Sequence, residues 1–310
     1  MSDASILFDR LCVIGIGLIG SSILRASRER GLVNTLVAAD LSEKVLKRVG
    51  ELGIADVVTG DLAEAVKQAD CVILCVPSGA FGAVAEVIGP HLKAGAVISD
   101  TGSVKGAVVA QMSPFLPENV YFIPSHPVAG TEHSGPDAGF AALFDNRWSI
   151  FTPAETIDQD KLALYRGFWE KLGSKVECMT PEHHDLVLAV TSHVPHLIAY
   201  NIVGTADDLE AVTESEVIKF SAGGFRDFTR IAASDPTMWR DIFLNNRKAV
   251  LEVLGRFSED LAYLQRAIRW GEGDKLFELF TRTRAVRRSI IDLGQETAEP
   301  DFGRQHGKQG

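Results

Sequence analysis

Apolar and polar positions alternate in two different ways along the chain, and the first half predicts both strands and helices. Runs such as TLVAAD, CVILCVP and AVISD are apolar almost throughout, and amphipathic segments such as SSILRASRERG separate them. Strands of a parallel sheet are covered on both faces and therefore read as continuous apolar runs. The pattern predicts an α/β fold with a doubly wound, mostly parallel sheet that continues as far as the strand SKVECM.

The second half of the chain shows helical periodicity alone. Thr180 is a suitable helix cap before Pro181, and from there to about residue 293 apolar positions recur every three to four residues. We expect a first domain over residues 1–179, a second, all-helical domain over residues 180–294 and a polar, disordered tail over residues 295–310. The surplus apolar surface of the helical part predicts burial against a second copy of the chain.

Composition and charge narrow the class of protein. The chain has 310 residues and a net charge of −10, which disfavours nucleic acid as a partner. No apolar run approaches the length of a membrane helix, and the first residues lack the basic region of a secretory signal, so we expect a cytoplasmic protein without a membrane span. The four cysteines form no Cys-x-x-Cys pair and accompany apolar runs, which predicts free thiols rather than a disulfide or metal site.

A glycine-rich turn follows the first predicted strand. In VIGIGLIGSS, three glycines have the Gly-x-Gly-x-x-Gly spacing between a strand and a helix. The first, Gly15, permits a tight turn; the second, Gly17, lets the backbone approach a pyrophosphate; the third, Gly20, lets the helix pack on the sheet. Together with Leu18 and Ile19 at the start of the helix, they predict a Rossmann-type dinucleotide site.

Asp40 ends the second predicted strand, at the place where such a site holds an acidic residue. A carboxylate there accepts hydrogen bonds from the ribose hydroxyls and repels a ribose phosphate, which favours NAD over NADP. Ser42 and Lys44 follow at once and would receive a phosphate if Asp40 turned away, so NADP stays open as the alternative cofactor. Three incidental turn glycines are the weaker interpretation, because strand, helix and acid all stand at the expected places.

Loops that leave the carboxyl ends of the strands face the ligand in a sheet of this kind. Val76 and Pro77 follow the strand CVILC and are predicted to lie close to the dinucleotide, although a plain turn proline fits equally well. Ser103 opens a helix, where it is at least a capping residue. Its hydroxyl would also suit a bond to the nicotinamide or to a neighbouring catalytic group.

His126 stands just past the strand NVYFIP, between Pro124 and Pro127, in a turn rich in Gly, Pro and Ser. A core histidine would sit within an apolar run, whereas this ring is expected on the ligand side of the sheet. An ordinary histidine pKa of ~6.5 lies near working pH and suits a general base. A purely structural hydrogen bond is the alternative role.

Five motifs in this order, GIGLIGSS, DTGSVKG, SHPVAGTEHSG, SHVPH and GGFRDFTRIAASDPTMWRDI, resemble the prephenate/arogenate (cyclohexadienyl) dehydrogenase family from about residue 11 to residue 293. The resemblance implies a dinucleotide-binding domain and a helical domain that forms a homodimer, with the active site between them. It also implies oxidation of prephenate or arogenate by hydride transfer to the nicotinamide with loss of carbon dioxide, giving 4-hydroxyphenylpyruvate or tyrosine. Any feedback by tyrosine would act by competition at the active site or through the dimer.

Roles for individual residues follow from the same motifs. The resemblance assigns the catalytic histidine to His126, which would accept the proton of the ring hydroxyl, and its partner serine to Ser103. It assigns Arg230 to the side-chain carboxylate of the substrate, for which a bidentate guanidinium is well suited. We expect further substrate contacts from His193, His196, Ser192, Gly130 and Thr131. Ordinary packing is an equal alternative at three more positions that match the family, Glu132, Asp227 and Trp239.

Four histidines lie close together in the sequence between residues 183 and 196. His193 and His196 share a helix face, and Pro195 between them is expected to bend that helix. Their spacing would suit a pair of metal ligands, but no third ligand stands nearby in the sequence, so no metal site is predicted. His183 and His184 match no catalytic position of the family and are expected to face solvent.

Two other functions remain open from the sequence. A different two-domain enzyme such as a 3-hydroxyacid dehydrogenase would use a lysine as acid and base, and no lysine has the setting of His126. A dinucleotide-sensing module without chemistry would need neither His126 beside the nicotinamide nor Arg230 across the cleft. We therefore expect NAD and a small-molecule substrate, with no nucleic-acid or membrane partner.

Overall fold

The computed structural model describes residues 6–131, 133–210 and 223–292. Contacts within the chain divide it into two compact units, Met1–Val250 and Leu251–Gly310. The helices between residue 180 and Val250 group with the sheet in the first unit, so the domain boundary expected after residue 179 stays a prediction. The tail expected over residues 295–310 lies outside the described residues.

A six-stranded sheet forms the centre of the first unit. All pairings between its neighbouring strands are parallel, which confirms the predicted doubly wound fold. Its strands are β1 (Phe8–Ile14), β2 (Val33–Ala39), β3 (Val57–Thr59), β4 (Cys71–Leu74), β5 (Val97–Asp100) and β6 (Tyr121–Phe122). They stand side by side in the order β3-β2-β1-β4-β5-β6. The helices between and after them are α1 (Leu18–Glu29), α2 (Glu43–Leu52), α3 (Leu62–Val66), α4 (Phe81–Ile88), α5 (Lys105–Met112) and α6 (Gln159–Lys171).

The apolar runs form central strands because both of their faces are covered. On β1, Leu11 and Val13 pack into one buried cluster, whereas Cys12 and Ile14 pack into a second cluster on the other face. Successive side chains of a strand point to opposite faces, so a run that is apolar throughout supplies both clusters. Cys12 and Cys71 are buried and Cys75 and Cys178 are half-buried, and all four are free thiols.

The chain leaves the central sheet after β6 and forms a second, three-stranded sheet. Its strands are β7 (Ser125–Pro127), β8 (Trp148–Phe151) and β9 (Lys175–Cys178), with β7 antiparallel to β8 and β8 parallel to β9. A single sheet extending to SKVECM was therefore a wrong detail of the prediction. Pro124 has no N–H to continue the ladder, and the N–H of Ser125 donates to the Asp100 carboxylate instead.

Helices occupy the remaining described residues after β9. In chain order they are α7 (Pro181–Leu188), a π-helical turn (Ala189–His193), α8 (Val194–Glu210), α9 (Gly223–Thr229), a 3₁₀ turn (Arg230–Ala233), α10 (Pro236–Asn245), α11 (Arg247–Trp270) and α12 (Gly273–Asp292). The Thr180 hydroxyl accepts a hydrogen bond from the N–H of His183, and Pro181 occupies the first turn, so the predicted cap of α7 is confirmed.

One continuous helical run, Pro181–Leu209, is long and apolar enough to cross a membrane by length and composition alone. A helix of a soluble domain passes the same test, and this run contains His184 and Asp185, which form hydrogen bonds to other parts of the first unit. The sequence prediction that no run approaches this length was wrong in that respect. We assign the run to the helical part of the fold.

Candidate active site

The glycine turn between β1 and α1 has the shape of a phosphate cradle. Gly15 has a φ of +91°, and a Cβ atom there would lie 2.5 Å from the carbonyl oxygen of Cys75. A Cβ on Gly20 would lie 2.2 Å from the carbonyl oxygen of Gly15, so only glycine permits these two approaches. Around Gly17 nothing lies within 4 Å of the corresponding position, which leaves room for a ligand.

The start of α1 is suited to an anion. Gly17 precedes the helix without a side-chain cap, and the first turn, which includes Leu18 and Ile19, holds no acidic residue. The first N–H groups of a helix lack partners within the helix, and the helix dipole adds positive potential at this end. These residues therefore fit the pyrophosphate of a dinucleotide.

Asp40 joins the glycine turn to the start of α2. One carboxylate oxygen accepts from the N–H of Ile16 at 2.8 Å, and the other accepts from the N–H of Ser42 at 2.9 Å. The Ser42 hydroxyl caps α2 by accepting from the N–H of Val45, so it is already engaged. A negative charge thus stands beside the turn, at the end of β2, where the adenosine ribose of a dinucleotide would lie.

Three neighbouring strands of the sheet deliver loops to the same edge. β1 leads to the glycine turn, β4 leads to Cys75, Val76 and Pro77, and β5 leads to the loop that contains Ser103. Val76 lies against the turn, with its Cγ1 atom 3.1 Å from a Cβ position on Gly15. The structure thus brings the predicted cofactor residues Val76 and Pro77 to the carboxyl edge, and Pro77 is exposed there.

His126 lies in the short strand β7, where it pairs with Ile150 of β8. The sequence placed it in a turn, but the strand holds its backbone in a ladder and leaves the residue only 9% exposed. Its Nδ1 atom lies 2.9 Å from Nε2 of His184, and the two rings meet edge to face. The ring is therefore fixed by a hydrogen bond as well as by the strand.

His184 is fully buried, which corrects the expectation that it faces solvent; its neighbour His183 is exposed, as expected. The Nδ1 atom of His184 lies 2.8 Å from a carboxylate oxygen of Asp185. His184 and Leu188 stand four residues apart on α7 and are both buried, so they share its inward face. That spacing was the signal in the sequence that could have placed His184 inside.

Asp185 caps the N-terminus of α5, a role that the sequence gave to Ser103. Its two carboxylate oxygens accept from the N–H groups of Lys105 at 2.8 Å and Gly106 at 2.9 Å. The residue before α5 is Val104, and no side chain of that loop caps the helix. Ser103 is half-buried, and its hydroxyl makes no hydrogen bond within the described part of the chain, so it stays available to a ligand.

A buried ion pair joins the first residue of α5 to the last residue of β5, beside the start of β7. The ammonium group of Lys105 contacts the carboxylate of Asp100 and the carbonyl oxygen of Ser125, and both charged side chains are completely buried. Asp100 also accepts from the N–H groups of Gly102 and Ser125. Because Ser125 immediately precedes His126, the pair fixes the backbone that carries the imidazole.

Burial dominates the protonation of the two paired histidines. It holds the pKa of His126 well below the ordinary value, and the nearby His184, Lys105 and His193 lower it further. Burial also lowers the pKa of His184, although the bond to Asp185 opposes this shift. Both rings are therefore neutral at pH 7, and the sequence expectation of an ordinary pKa for His126 is corrected.

The region around the π-helical turn contains the predicted histidines of the substrate pocket. Nδ1 of His196 donates to the carbonyl oxygen of Ser192 at 2.9 Å, and its ring stacks on Trp239 with centroids 3.6 Å apart. Burial lowers the pKa of His196, and the Arg230 guanidinium adds to this, so Arg230 is close enough to act on the ring. His193 is buried, with its Nδ1 atom 3.0 Å from the amide of Asn246.

Arg230 is exposed, and its guanidinium makes no ion pair or hydrogen bond among the residues that the structure describes. Its neighbour Asp227 faces Arg226 instead, at 3.6 Å. Gly130 is exposed, and the Thr131 hydroxyl accepts from the N–H of His133. Glu132 lies outside the described residues. Trp239 is buried beneath His196, which favours the packing role left open for it in the sequence.

No group of three His, Cys, Asp or Glu side chains is placed to hold a metal ion within residues 6–131, 133–210 and 223–292. The Nδ1 atoms of both His193 and His196 are engaged by protein groups. The arrangement instead offers a phosphate cradle, a ribose acceptor, a buried neutral imidazole and a guanidinium that has no ion pair within the described ranges.

Two family models match consecutive parts of the chain. The model described as "Prephenate dehydrogenase, nucleotide-binding domain" matches residues 23–178, and the model described as "Prephenate dehydrogenase, dimerization domain" matches residues 180–282. The chain belongs to the prephenate dehydrogenase family. This membership confirms the resemblance found in the motifs.

Relatives of the family cover nearly the whole chain. A cyclohexadienyl dehydrogenase of Zymomonas mobilis is 43% identical over 92% of this chain and 97% of its own length. A prephenate dehydrogenase of Bacillus subtilis is 31% identical over 95% of this chain and 79% of its own. The crystal structure of a prephenate dehydrogenase of A. aeolicus in complex with hydroxyphenyl propionate and NAD+ has a TM-score of 0.85, 33% identity and coverage of 91% and 98%.

Sequence reasoning missed four residues that hold the site together: His184, Asp185, Lys105 and Asn246. Asp185 and Asn246 are polar residues whose partners lie 80 and 61 positions away in the chain, so no local pattern pairs them. Lys105 stands in a helical segment, where a lysine ordinarily points to solvent. Only the inward spacing of His184 was visible in the sequence.

Proposed function

We propose that the protein oxidises prephenate, arogenate or both, with transfer of hydride to NAD and loss of the ring carboxylate as carbon dioxide. The products are 4-hydroxyphenylpyruvate from prephenate and tyrosine from arogenate. The buried, neutral His126 held by His184 is the observation that carries the proposal, because this reaction needs a base for one hydroxyl proton. Membership of the family and the named activities of its relatives support the same conclusion.

Particular residues of the chain are assigned to the steps of this reaction. Bound NAD supplies the acceptor for the hydride that leaves the ring carbon bearing the hydroxyl. His126 takes the hydroxyl proton and returns it to the product oxygen once the electrons of the broken carbon–carboxylate bond have completed the aromatic ring. Ser103, whose hydroxyl has no hydrogen-bond partner among the described residues, would face the nicotinamide. Aromatisation of the ring makes the reaction favourable. The protein therefore contributes to the rate chiefly by aligning the hydride donor, the hydride acceptor and the base.

Arg230 is proposed to bind the side-chain carboxylate that prephenate and arogenate share. A guanidinium without an ion pair among the described residues can form two parallel hydrogen bonds to a carboxylate. His196 lies near it, stacked on Trp239, with Nδ1 engaged and Nε2 left to face a ligand. These two residues, with Ser192, Gly130 and Thr131 around them, form the proposed substrate pocket, and the buried His193 supports it from behind.

Cofactor choice is proposed to rest on Asp40. Its carboxylate stands at the end of β2 beside the glycine turn, and the Ser42 hydroxyl, the alternative group for a phosphate, is used as a helix cap. A ribose phosphate would meet this negative charge, so we expect NAD to be preferred over NADP.

We also propose a cytoplasmic homodimer that tyrosine inhibits by competition. The match to a dimerisation domain over residues 180–282 supports the dimer. Tyrosine carries the phenol ring and side chain of the product, so it would fit the same pocket.

Initial-rate assays test this function. Purified protein is mixed with prephenate or arogenate and NAD or NADP, and the absorbance of the reduced cofactor is followed, with a 3-hydroxyacid as the competing substrate class. We expect reduction of NAD with at least one of the two ring substrates and none with the 3-hydroxyacid. His126→Asn should lower kcat by about 10²-fold or more with little change in KM, whereas the matched control His183→Asn should retain full activity.

The same assay tests the carboxylate site. Arg230→Ala should raise the substrate KM far more than it lowers kcat, because the lost contact is made equally in the ground state and the transition state. An unchanged KM would mean that the carboxylate binds elsewhere. Failure of both ring substrates with both cofactors would overturn the proposed function.

A further inference from the structure

The protons of the chain of groups Asp185, His184 and His126 can be placed from their partners. Both carboxylate oxygens of Asp185 accept hydrogen bonds from backbone N–H groups at the start of α5. A carboxylate has no proton to donate, so Asp185 is also the acceptor in its contact with His184. The Nδ1 atom of His184, which lies 2.8 Å from one of these oxygens, must carry a proton and donate it.

The proton on Nδ1 of His184 determines which nitrogen of His126 carries a proton. A neutral imidazole has one donor and one acceptor nitrogen, so Nε2 of His184 is the acceptor. The 2.9 Å contact to Nδ1 of His126 is then a bond that His126 donates. His126 thus carries its own proton on Nδ1, which leaves the lone pair on Nε2.

We propose that His184 and Asp185 are positioning residues that hold His126 in the tautomer with a proton on Nδ1, so that Nε2 is the atom that accepts the hydroxyl proton. This inference rests on the proposed function, for which it names the basic atom. Without the pair, a neutral histidine would be free to carry its proton on either nitrogen, and the molecules with a protonated Nε2 would be inactive.

The same pair stabilises the charge that forms on His126. When Nε2 has accepted a proton, the imidazolium still donates Nδ1–H to His184, and the Asp185 carboxylate lies behind that ring. The positive charge of Lys105 disfavours a positive charge on His126, but Lys105 is paired with Asp100 in direct contact. His193, on the far side of Asn246, is neutral, because burial lowers its pKa to about 4.

Asp185 also connects the base to two other parts of the site. Its carboxylate fixes the start of α5, directly after the loop of Ser103, and its carbonyl oxygen accepts from the Asn246 amide at 2.8 Å. The Asn246 amide in turn contacts His193. A displacement of Asp185 would therefore move the base, the serine loop and the histidine turn together, which is why the substitutions are best made at His184.

Substitutions at His184 separate the two bonds that it makes. In His184→Asn the shorter amide can still donate to Asp185 but does not reach His126. We expect kcat to fall by about 10²-fold while both KM values change by less than about threefold. In His184→Gln the longer side chain places an amide oxygen near the former Nε2 position, so part of the lost kcat should return. The matched control is His183→Asn, one residue earlier and exposed, which should leave kcat unchanged.

Nitrogen NMR of the full-length protein labelled with ¹⁵N-histidine reads the tautomer directly. The signals of His126 are assigned by their loss in His126→Asn. In the wild-type protein with NAD bound, we expect a protonated Nδ1 and an unprotonated Nε2, and in His184→Asn a mixture of the two tautomers.

A protonated Nε2 in the wild-type protein, or a full kcat in His184→Asn, would overturn the positioning role. If His184→Asn does not fold, spectra of the wild-type protein and of His184→Gln still test the proposal. A His126 Nδ1 atom without a proton in either spectrum would contradict it. The spectrum does not depend on turnover. A correct tautomer in a protein that oxidises neither ring substrate would therefore reject the proposed function while supporting the role of His184.

Discussion

Burial of His126 changes the pH range in which the residue can act as a base. Its pKa is lowered mainly by burial, well below the ordinary value of ~6.5. A base is active in its unprotonated form, so a lowered pKa keeps it active to more acidic pH. We predict that kcat/KM stays on its plateau as the pH falls through ~6.5 and declines only well below it, as measured by initial rates with each proposed substrate.

Stability at low pH must be measured alongside these rates. His184 and His193 are also buried with lowered pKa values, and the unfolded chain takes up protons at ordinary histidine pKa values. The unfolded state therefore binds more protons below ~6.5, and the free energy of unfolding decreases as the pH falls. Far-ultraviolet circular dichroism at each pH separates this loss from titration of the base. An acid limb near ~6.5 in folded protein would contradict a buried His126.

At the scale of residues, the role of a side chain could be predicted from the sequence where the local backbone requires one residue type. Gly15 and Gly20 occur where only a residue without Cβ fits, and the spacing of the glycines alone indicated this. The pKa of His126 could not be predicted in this way, because it depends on groups from α5 and α7 that are distant in the sequence. His184 was misplaced because it belongs to none of the family motifs, although it shares the inward face of α7 with Leu188.

The element whose placement matters most for the site is α5, and a buried ion pair fixes its first turn. Lys105→Met would leave the Asp100 carboxylate buried without its cation. Removal of one partner of a buried pair typically costs about 3–5 kcal/mol, so we predict a loss of this order in the free energy of unfolding, measured by urea denaturation. The double variant Asp100→Asn with Lys105→Met should recover part of the loss, because no charge is then left unpaired.

An exposed pair supplies the control for this prediction. Lys93 contacts Asp70 at the surface, with about half of the lysine side chain exposed. Lys93→Met should change the free energy of unfolding by less than about 1 kcal/mol, because solvent screens such pairs. Equal effects of Lys105→Met and Lys93→Met would show that the Lys105 pair contributes no more than a surface contact.

Elements with a clear apolar pattern, either a continuous run or a helical period, were predictable, and the others were not. Strands β1, β2, β4 and β5 are continuous apolar runs, and their parallel order follows from the helices between them. The strand β7 has three residues, ends in Pro127 and carries no period, so the second sheet could not be seen. The π-helical turn before Pro195 was likewise invisible, although the sequence did indicate an irregularity in that helix.

At the scale of the whole molecule, the sequence anticipated apolar surface beyond the needs of one chain. In the unit Leu251–Gly310, helix α12 exposes Phe277 by 73% and Phe280 by 56%. Side chains three residues apart stand next to each other on a helix, so the two rings form one apolar strip. Such surface is unfavourable in water and is expected to be covered in the homodimer.

We predict that Phe277→Glu combined with Phe280→Glu weakens this dimer. Burial of a phenylalanine side chain contributes about 1.5–3 kcal/mol, so losing two of them should raise the dimer Kd by at least about 10²-fold, as measured by sedimentation equilibrium. Arg282→Glu, which places the same charge at an exposed position on the opposite face of α12, should leave Kd unchanged. An unchanged Kd in the double variant would place the strip outside the interface, and a wild-type protein that stays monomeric would overturn the homodimer itself.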